Sequence, residues 1–165
     1  MESAIWGLVG TIVGALASIG TTWIAAQSAS KLQKHSSSHE RAERERAFQR
    51  ETLLELQDAL HDGLRMMARA HLENGVSFKQ SGEWGKSLLS EEVNEGIRLA
   101  NRKVSILIER VANDPLRSEL KDIMKASGQV SLAKSQAEAE ANFNRAIFAA
   151  NDVMERLGNV LRSLY

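Results

Sequence analysis

The sequence predicts an all-α protein with an N-terminal single transmembrane helix, a helical stalk and an antiparallel helical bundle. Three observations support this fold class. The chain has only one proline, the residue that most disfavours helix, and it is rich in alanine, leucine, glutamate, arginine and lysine, which favour helix. A long segment near the N-terminus has no charged residue, and apolar residues recur at helical spacing in much of the remainder. The predicted parts are a transmembrane anchor over 1–30, a charged stalk over 31–52 and a bundle over 53–165.

The composition excludes several classes of function. Lysine plus arginine and aspartate plus glutamate both number 21, so the formal net charge is zero. Nucleic-acid binding relies on clustered basic side chains that neutralise phosphates, and it is therefore not expected. The chain has no cysteine, which excludes disulfides, thiolate catalysis and thiolate metal sites.

The first element is a helix long enough to cross a membrane. No charged residue occurs from Ser3 to Ser30, and residues 4–26 are mostly leucine, isoleucine, valine, tryptophan, alanine and glycine. A hydrocarbon core about 30 Å thick needs roughly 20 helical residues. A cleaved signal peptide is the alternative, but it would open with basic residues and have a shorter apolar core. Because the only charged side chain before this segment is Glu2, we expect a retained anchor.

Residues at the two ends of this segment predict its placement and orientation. Trp6 and Trp23 lie about 25 Å apart along a helix, so each is expected at one membrane interface. The plainer interpretation is that both are apolar members of an apolar helix. Lys31 and Lys34 follow the segment before any acidic residue. Because lysine and arginine mark the cytoplasmic side, we expect the N-terminus outside and the C-terminal domain in the cytoplasm, at a bacterial inner membrane or its equivalent.

Small residues follow the predicted anchor at alternating spacings of four and three, which is the heptad period. In lipid, helix association depends on close backbone approach, which small side chains permit. We therefore predict self-association through this face. A chance stripe is the alternative, because such residues are common in membrane helices. The predicted seam comprises Gly7, Thr11, Gly14, Ser18, Thr21 and Ala25, with Gly10 beside it.

The stalk begins near three serines and continues as a charged helix. Ser36–Ser38 are weak helix formers, and the sequence leaves open whether they form a hinge or lie in an unbroken helix. Residues 39–52 are dense in glutamate and arginine. Glu40 and Arg44 form an i,i+4 pair in the favoured order, so this part is expected to be a solvated helix.

Apolar residues at helical spacing predict the first two helices of the bundle. The first is expected to end at Asn74-Gly75, before a loop over 75–87 that contains three glycines. The second is expected to begin at Ser90, with Glu91 and Glu92 in its first turn. The predicted apolar faces are Leu53, Leu56, Leu60, Leu64, Met67 and the Ala70–His71 position in the first, and Val93, Ile97, Ala100, Val104, Leu107 and Val111 in the second.

Two further helices complete the predicted bundle, in which short loops favour antiparallel neighbours. Asp114 is the expected N-cap of the third helix, with Pro115 in its first turn. This helix is expected to end at Ser127-Gly128, and the last helix to run from about Ser131 to Leu164. Their apolar faces are predicted to contain Leu116, Leu120, Ile123 and Met124 in the third, and Phe143, Ile147, Ala150, Met154, Leu157 and Leu161 in the last.

The patterns that are typical of catalytic or metal sites each lack a required partner. His61-Asp62 resembles the central pair of HD-type phosphohydrolases, but no further histidine and aspartate complete that site. His35 and His39 lie one helical turn apart, an arrangement that suits a metal or a pH response, yet no third ligand accompanies them. The chain also has no phosphate-binding Gly-x-x-x-x-Gly-Lys and no Gly-x-Ser-x-Gly. We predict no enzymatic activity, no cofactor and no metal site.

Phe78 and Trp84 form the one aromatic concentration outside the predicted membrane and core segments. Trp84 lies between Gly82 and Gly85, and a tryptophan presented on a loop is a candidate partner contact. The favoured alternative is that both rings close the open end of the bundle.

The layout predicts a single-pass membrane protein that self-associates through its anchor and binds an unknown protein or small molecule through its cytoplasmic bundle. A regulator, a scaffold or a membrane effector of a bacterial or phage conflict system fits this layout. The expected partners are membrane lipid and a second copy of the chain, without nucleic acid. The alternatives are a structural coiled-coil tether, a secreted helical binding protein with a cleaved leader, and an ion-conducting oligomer.

Overall fold

The computed structural model describes the backbone of residues 2–165, in which every regular element is a helix. Side chains of residues 1–13, 15–17, 19, 20, 22 and 24–26 lie outside the description. The helices are α1 (Glu2–Ser81), α2 (Glu91–Ile108), α3 (Asp114–Ser131) and α4 (Gln136–Ser163). The predicted all-α class is therefore confirmed. The chain divides into two compact units, residues 1–45 and residues 46–165.

The predicted anchor lies in the first unit. Most side chains of residues 4–26 are outside the described residues. In the part of the chain that the structure does describe, no helix combines the length and the apolar character that a membrane crossing requires.

Within the first unit, α1 continues through Ser36–Ser38 without a break. The hydroxyl of Ser37 donates to the carbonyl of Lys34 at 3.0 Å, and that of Ser38 donates to His35 at 2.8 Å. Such bonds to the preceding turn satisfy a serine hydroxyl inside a helix. Of the two alternatives that the sequence leaves open here, the structure has the unbroken helix.

The end of α1 differs from the prediction. The helix continues past Asn74-Gly75 to Ser81, so the expected stop at residue 75 is wrong. Glycine can remain helical, and it ends a helix only where the backbone takes a left-handed conformation. That conformation first occurs at Gly82, with a φ of 71°. The N–H of Gly82 donates to the carbonyl of Phe78 at 2.8 Å and closes the last turn.

The predicted start of α2 is confirmed, whereas that of α3 is off by one residue. Ser90 is the N-cap of α2, and its hydroxyl accepts from the N–H of Val93 at 3.4 Å. The N-cap of α3 is Asn113, whose side-chain oxygen accepts from Leu116 at 2.9 Å. Asp114 is instead the first residue of the helix, where its carboxylate pairs with Arg117. Both residue types are good caps, so local preference does not distinguish them.

The boundary between α3 and α4 also lies later than predicted. α3 passes Ser127-Gly128 and ends at Ser131, and α4 begins after its N-cap Ser135 rather than at Ser131. The extra turn of α3 places Val130 in a buried cluster with Met67 and Ala146. Burial of these side chains outweighs the weak helix preference of glycine and serine.

In the second unit the helices pack in up-and-down order, each antiparallel to the next. For three of the four neighbouring combinations, two pairs show this directly, because the residue number rises on one helix as it falls on the other. The antiparallel order of α2 and α3 follows from those three. The pairs are Arg69–Glu92 and Gln49–Arg110 for α1 and α2, Lys121–Glu109 for α2 and α3, Arg156–Glu119 and Asn142–Gln129 for α3 and α4, and Arg50–Leu164 and His71–Phe143 for α4 and α1.

The core of this unit is made by the predicted apolar faces. The largest fully buried side chains are Leu53, Leu56, Leu116, Leu120, Leu157, Val93, Val104 and Val111. Each fully buried leucine or valine contributes about 1.5–3 kcal/mol relative to an exposed one. Several other predicted members, including Leu64, Phe143 and Ile147, are only half-buried and pack against this core or the smaller cluster.

One end of the second unit is closed by polar side chains of α1. The amide of Gln49 donates to the carbonyl of Arg110 at 3.0 Å and accepts from the N–H of Ala112 at 2.9 Å. The guanidinium of Arg50 donates to the carbonyl of Leu164 at 2.7 Å and lies 5.1 Å from the centre of the Tyr165 ring. These bonds satisfy backbone groups at the α2–α3 turn and at the end of α4.

Candidate functional site

The connection between α1 and α2 folds back onto the helices at the other end of the unit. Gly82 and Gly85 have φ values of 71° and 72°, and they are the residues with positive φ in the described chain. Glycine adopts this conformation without the steric penalty of a side chain. Trp84 lies between the two turns and is half-buried against α1.

Trp84 is part of a row of four rings from three elements, which we call the aromatic row. The Trp84 ring centre lies 5.9 Å from that of Phe78 and 5.6 Å from that of His71. His71 in turn stacks on Phe143 of α4, with 4.7 Å between ring centres and 14° between planes. Ring pairs at these distances contribute about 0.5–1.5 kcal/mol beyond the area that they bury. The row therefore attaches the connection to α1 and α4.

Polar contacts attach the far end of the connection to α1. The carboxylate of Glu73 accepts from the backbone N–H of Ser90 at 2.9 Å and from its hydroxyl at 2.7 Å. These two bonds lower the pKa of Glu73. Arg69 donates two bonds to Glu92, at 2.6 and 3.1 Å, which lower the pKa of the Glu92 carboxyl. The first turn of α2 is thus tied to α1 by four hydrogen bonds.

A cavity of about 280 Å³ lies beside the aromatic row, and we call it the α1–α2 cleft. Its walls come from α1, the connection, the first turns of α2 and the end of α3. Its polar lining includes Asn74, Asn94 and Ser131, and its apolar lining includes Met67 and Leu88. No aspartate, glutamate, lysine or arginine lines it, although these residues make up 25% of the chain.

Several polar groups of the cleft make no hydrogen bond to the side chains and backbone that the structure describes. The Nδ1 atom of His71 is buried and makes no hydrogen bond, and it is the one such side-chain atom among the described residues. The side-chain amides of Asn74 and Asn94 also have no hydrogen-bond partner in the described part of the chain. Asn74 is half-buried and Asn94 is exposed, so water can reach their amides. The buried Nδ1 atom of His71 is the exception, because most buried polar groups in proteins are paired.

Leu88 connects this cleft to a shallower groove on the outer side of the connection. The groove lies between the end of α1 and the connection, and Leu72, Val76 and Leu88 provide its apolar lining. These three side chains are exposed, and Leu88 is 99% exposed. The apolar surface of the cleft therefore continues outward.

The predicted partner-contact residues lie together at this site. Phe78 and Trp84 contact each other and are both half-buried, and their role in partner binding stays a prediction. The sequence placed His71 on an apolar face but did not single it out. The sequence pattern that could have identified His71 is a histidine at a core-facing position, because Met67 and Ala70 precede it on the same buried face.

The other predicted site residues lie in the first unit. Trp23, Lys31 and Lys34 are exposed there, as are the seam residues Gly14 and Ser18. The seam residue Thr21 is exposed as well, and its hydroxyl donates to the carbonyl of Ser18 at 2.9 Å. The remaining predicted side chains lie outside the described residues: Trp6, Gly7, Gly10, Thr11 and Ala25.

The described residues include no group of three or more histidine, cysteine, aspartate or glutamate side chains arranged to hold a metal ion. No protein-family model, curated protein or solved structure matches the chain. The α1–α2 cleft, the uncharged N-terminal segment and the helix contacts are therefore the basis for assigning a function.

Proposed function

We propose that this chain is a single-pass membrane protein without enzymatic activity, which self-associates through its N-terminal segment and binds a ligand or partner through a cytoplasmic helical bundle. The observation that carries this proposal is the uncharged segment from Ser3 to Ser30, followed by Lys31 and Lys34. Its length matches the roughly 20 residues needed to cross a bilayer. The lysines that follow favour a cytoplasmic position for everything after residue 30.

The α1–α2 cleft supports the binding part of the proposal. It combines apolar walls with a few polar groups that lack partners, which is typical of small-molecule sites. The unpaired Nδ1 atom of His71 adds to this, because burial of a polar group without a hydrogen bond costs about 1–3 kcal/mol. A bound molecule that pairs with such groups would recover part of that free energy.

Membrane extraction and cysteine labelling test the anchor. The full-length protein is expected in the membrane pellet after alkaline carbonate washing, and release into the supernatant would contradict the proposal.

Because the chain has no native cysteine, Ser3→Cys and Ser37→Cys each introduce a single thiol. An impermeant maleimide added to intact cells should label Ser3→Cys alone. Labelling of Ser37→Cys alone would reverse the topology, and an intact mass lacking the leader would favour the secreted alternative.

A structural tether is the second candidate, and the helix that continues through Ser36–Ser38 in the first unit favours it. A tether would hold copies together as a coiled coil along the whole stalk. Single cysteines placed in turn over residues 31–52 should then cross-link between copies with a period of three to four residues. For the ligand-binding protein proposed above, we expect cross-linking near residue 31 that declines without such a period.

A further inference from the structure

We propose that the α1–α2 cleft binds a small, uncharged, flat molecule that carries an amide or hydroxyl group. This proposal rests on the ligand-binding role proposed for the bundle and names the chemical class of the ligand. It is independent of the anchor, because every group it uses belongs to residues 46–165.

The size and the apolar walls of the cleft favour a compact ring-containing molecule. The cavity is about 280 Å³, just below the roughly 300 Å³ at which the usual range of ligand pockets begins. Met67, Leu88 and Val130 line it together with the indole of Trp84. A flat ring would stack on the indole and lie against the aliphatic side chains.

The absence of charged residues from the lining favours an uncharged ligand. Transfer of an ionised group into such a cleft leaves its charge without a counter-ion, which is unfavourable. The charged side chains next to lining residues in sequence are already engaged. Arg69 pairs with Glu92, Glu73 accepts two bonds from Ser90, Lys86 pairs with Glu83, and Glu95 pairs with Arg98. With the imidazole of His71 in its neutral form, a carboxylate or an ammonium group finds no partner of opposite charge in the lining.

The unpaired polar groups set the hydrogen-bonding character of the ligand. Asn74 and Asn94 each offer a carbonyl acceptor and an NH₂ donor. An amide or hydroxyl group on the ligand offers both a donor and an acceptor in return. It would therefore pair with these amides without leaving its own polar atoms unsatisfied.

Trp84 is expected to respond to the ligand. The Nδ1 atom of His71 is buried, and the indole of Trp84 contacts the His71 ring at a tilt of 55°. A ring that stacks on the indole changes the surroundings of the indole, and the two glycine turns that flank Trp84 allow the backbone to adjust. Binding should therefore change the environment of the Trp84 side chain.

Fluorescence of Trp84 in the full-length protein tests the proposal. The chain has three tryptophans, so Trp6→Phe and Trp23→Phe together leave Trp84 as the single emitter. The probes are benzamide and benzoate, which share a ring and differ in charge. We expect a saturable change in Trp84 emission with benzamide, and binding at least about tenfold weaker for benzoate. No saturable change with benzamide, or equal affinity for both probes, would overturn the proposal.

Asparagine variants locate the binding within the cleft. Asn74→Leu and Asn94→Leu should each weaken benzamide binding about three- to tenfold through loss of hydrogen bonds. Asn151→Leu is the matched control, because Asn151 is exposed on α4 and does not line the cleft. Partition of benzamide into detergent would affect all three variants equally. Equal benzamide affinities in the three variants would contradict the assigned site. The anchor is tested separately, by whether the same variants remain in the membrane pellet.

Discussion

His71 shows how a single residue connects stability with the candidate site. Its ring stacks on Phe143 and contacts Trp84, so it contributes to packing at the end of the bundle. Its Nδ1 atom is buried without a partner, which opposes folding by about 1–3 kcal/mol. A phenyl ring at this position would keep the packing and remove the unpaired nitrogen.

We therefore expect His71→Phe to raise the free energy of unfolding by about 1 kcal/mol. Urea unfolding of the full-length protein, followed by circular dichroism, measures this change. His61→Phe is the control, because His61 is exposed on the same helix, and its stability should stay within about 0.5 kcal/mol of the original. A lower stability for His71→Phe than for His61→Phe would show that Nδ1 has a stabilising role.

Glu73 is expected to make stability depend on pH. Hydrogen bonds from the backbone N–H and the hydroxyl of Ser90 lower the pKa of Glu73 from its ordinary value of 4.5. A carboxyl whose pKa is lower in the folded state stabilises the fold above its unfolded pKa. This stability is lost as the pH falls from about 4.5 through the lower, folded-state value.

The temperature at the midpoint of thermal unfolding should therefore decrease when the pH is lowered from about 7 to about 3.5. This decrease should be smaller in Glu73→Gln. Glu140→Gln is the matched control, because Glu140 is exposed on α4 and makes no hydrogen bond or ion pair in the described chain. Its pH dependence should equal that of the original protein. An equal dependence in Glu73→Gln would mean that the Ser90 contacts do not persist in solution.

At the scale of the elements, the helix ends are decided by tertiary contacts more than by local preference. Gly75 is a typical stop signal, yet α1 continues through it. Phe78, one turn later, packs against Trp84, and this contact requires that the helix extend to residue 78. Asn113 and Asp114 are both good caps, and the path of the α2–α3 turn selects Asn113.

The two glycines should therefore respond oppositely to substitution by alanine. Gly75 is helical, and a Cβ there meets no atom within 4 Å, so Gly75→Ala should stabilise the protein by about 0.5–1 kcal/mol. Gly82 has a φ of 71°, so Gly82→Ala should destabilise it by about 1 kcal/mol or more. Urea unfolding measures both changes. A stabilising Gly82→Ala would show that the turn does not need a left-handed residue.

At the scale of the whole molecule, self-association depends on the predicted seam in the N-terminal segment. A Cβ at Gly14 meets no atom of its own chain within 4 Å, so Gly14→Ile leaves the single chain unhindered. In the associated form, a bulky side chain would hold two backbones apart. The dimer signal in a membrane reporter assay should therefore fall by about fivefold or more. Leu16→Ile, away from the seam, is the control, and an unchanged signal for Gly14→Ile would refute the seam.

The sequence predicted more of the fold than of the site. The apolar faces around Leu56, Val104 and Leu120 follow from a helical period that is visible in the residues, and all three side chains are buried. The Ser90 cap followed from a local preference. The cleft was not predictable in this way, because its polar lining combines Asn74, Asn94 and Ser131, which are far apart in sequence.

The residues by themselves determined the all-α class, the buried face of each helix and the start of α2, because these depend on interactions within a few positions along the chain. Only the tertiary structure decided where α1 ends, which residue caps α3 and how His71 comes to lie between Trp84 and Phe143. The physical reason is that these features depend on contacts between elements, as in the α1–α2 connection, which turns back at two left-handed glycines. The contacts it then makes join residues that no local pattern relates.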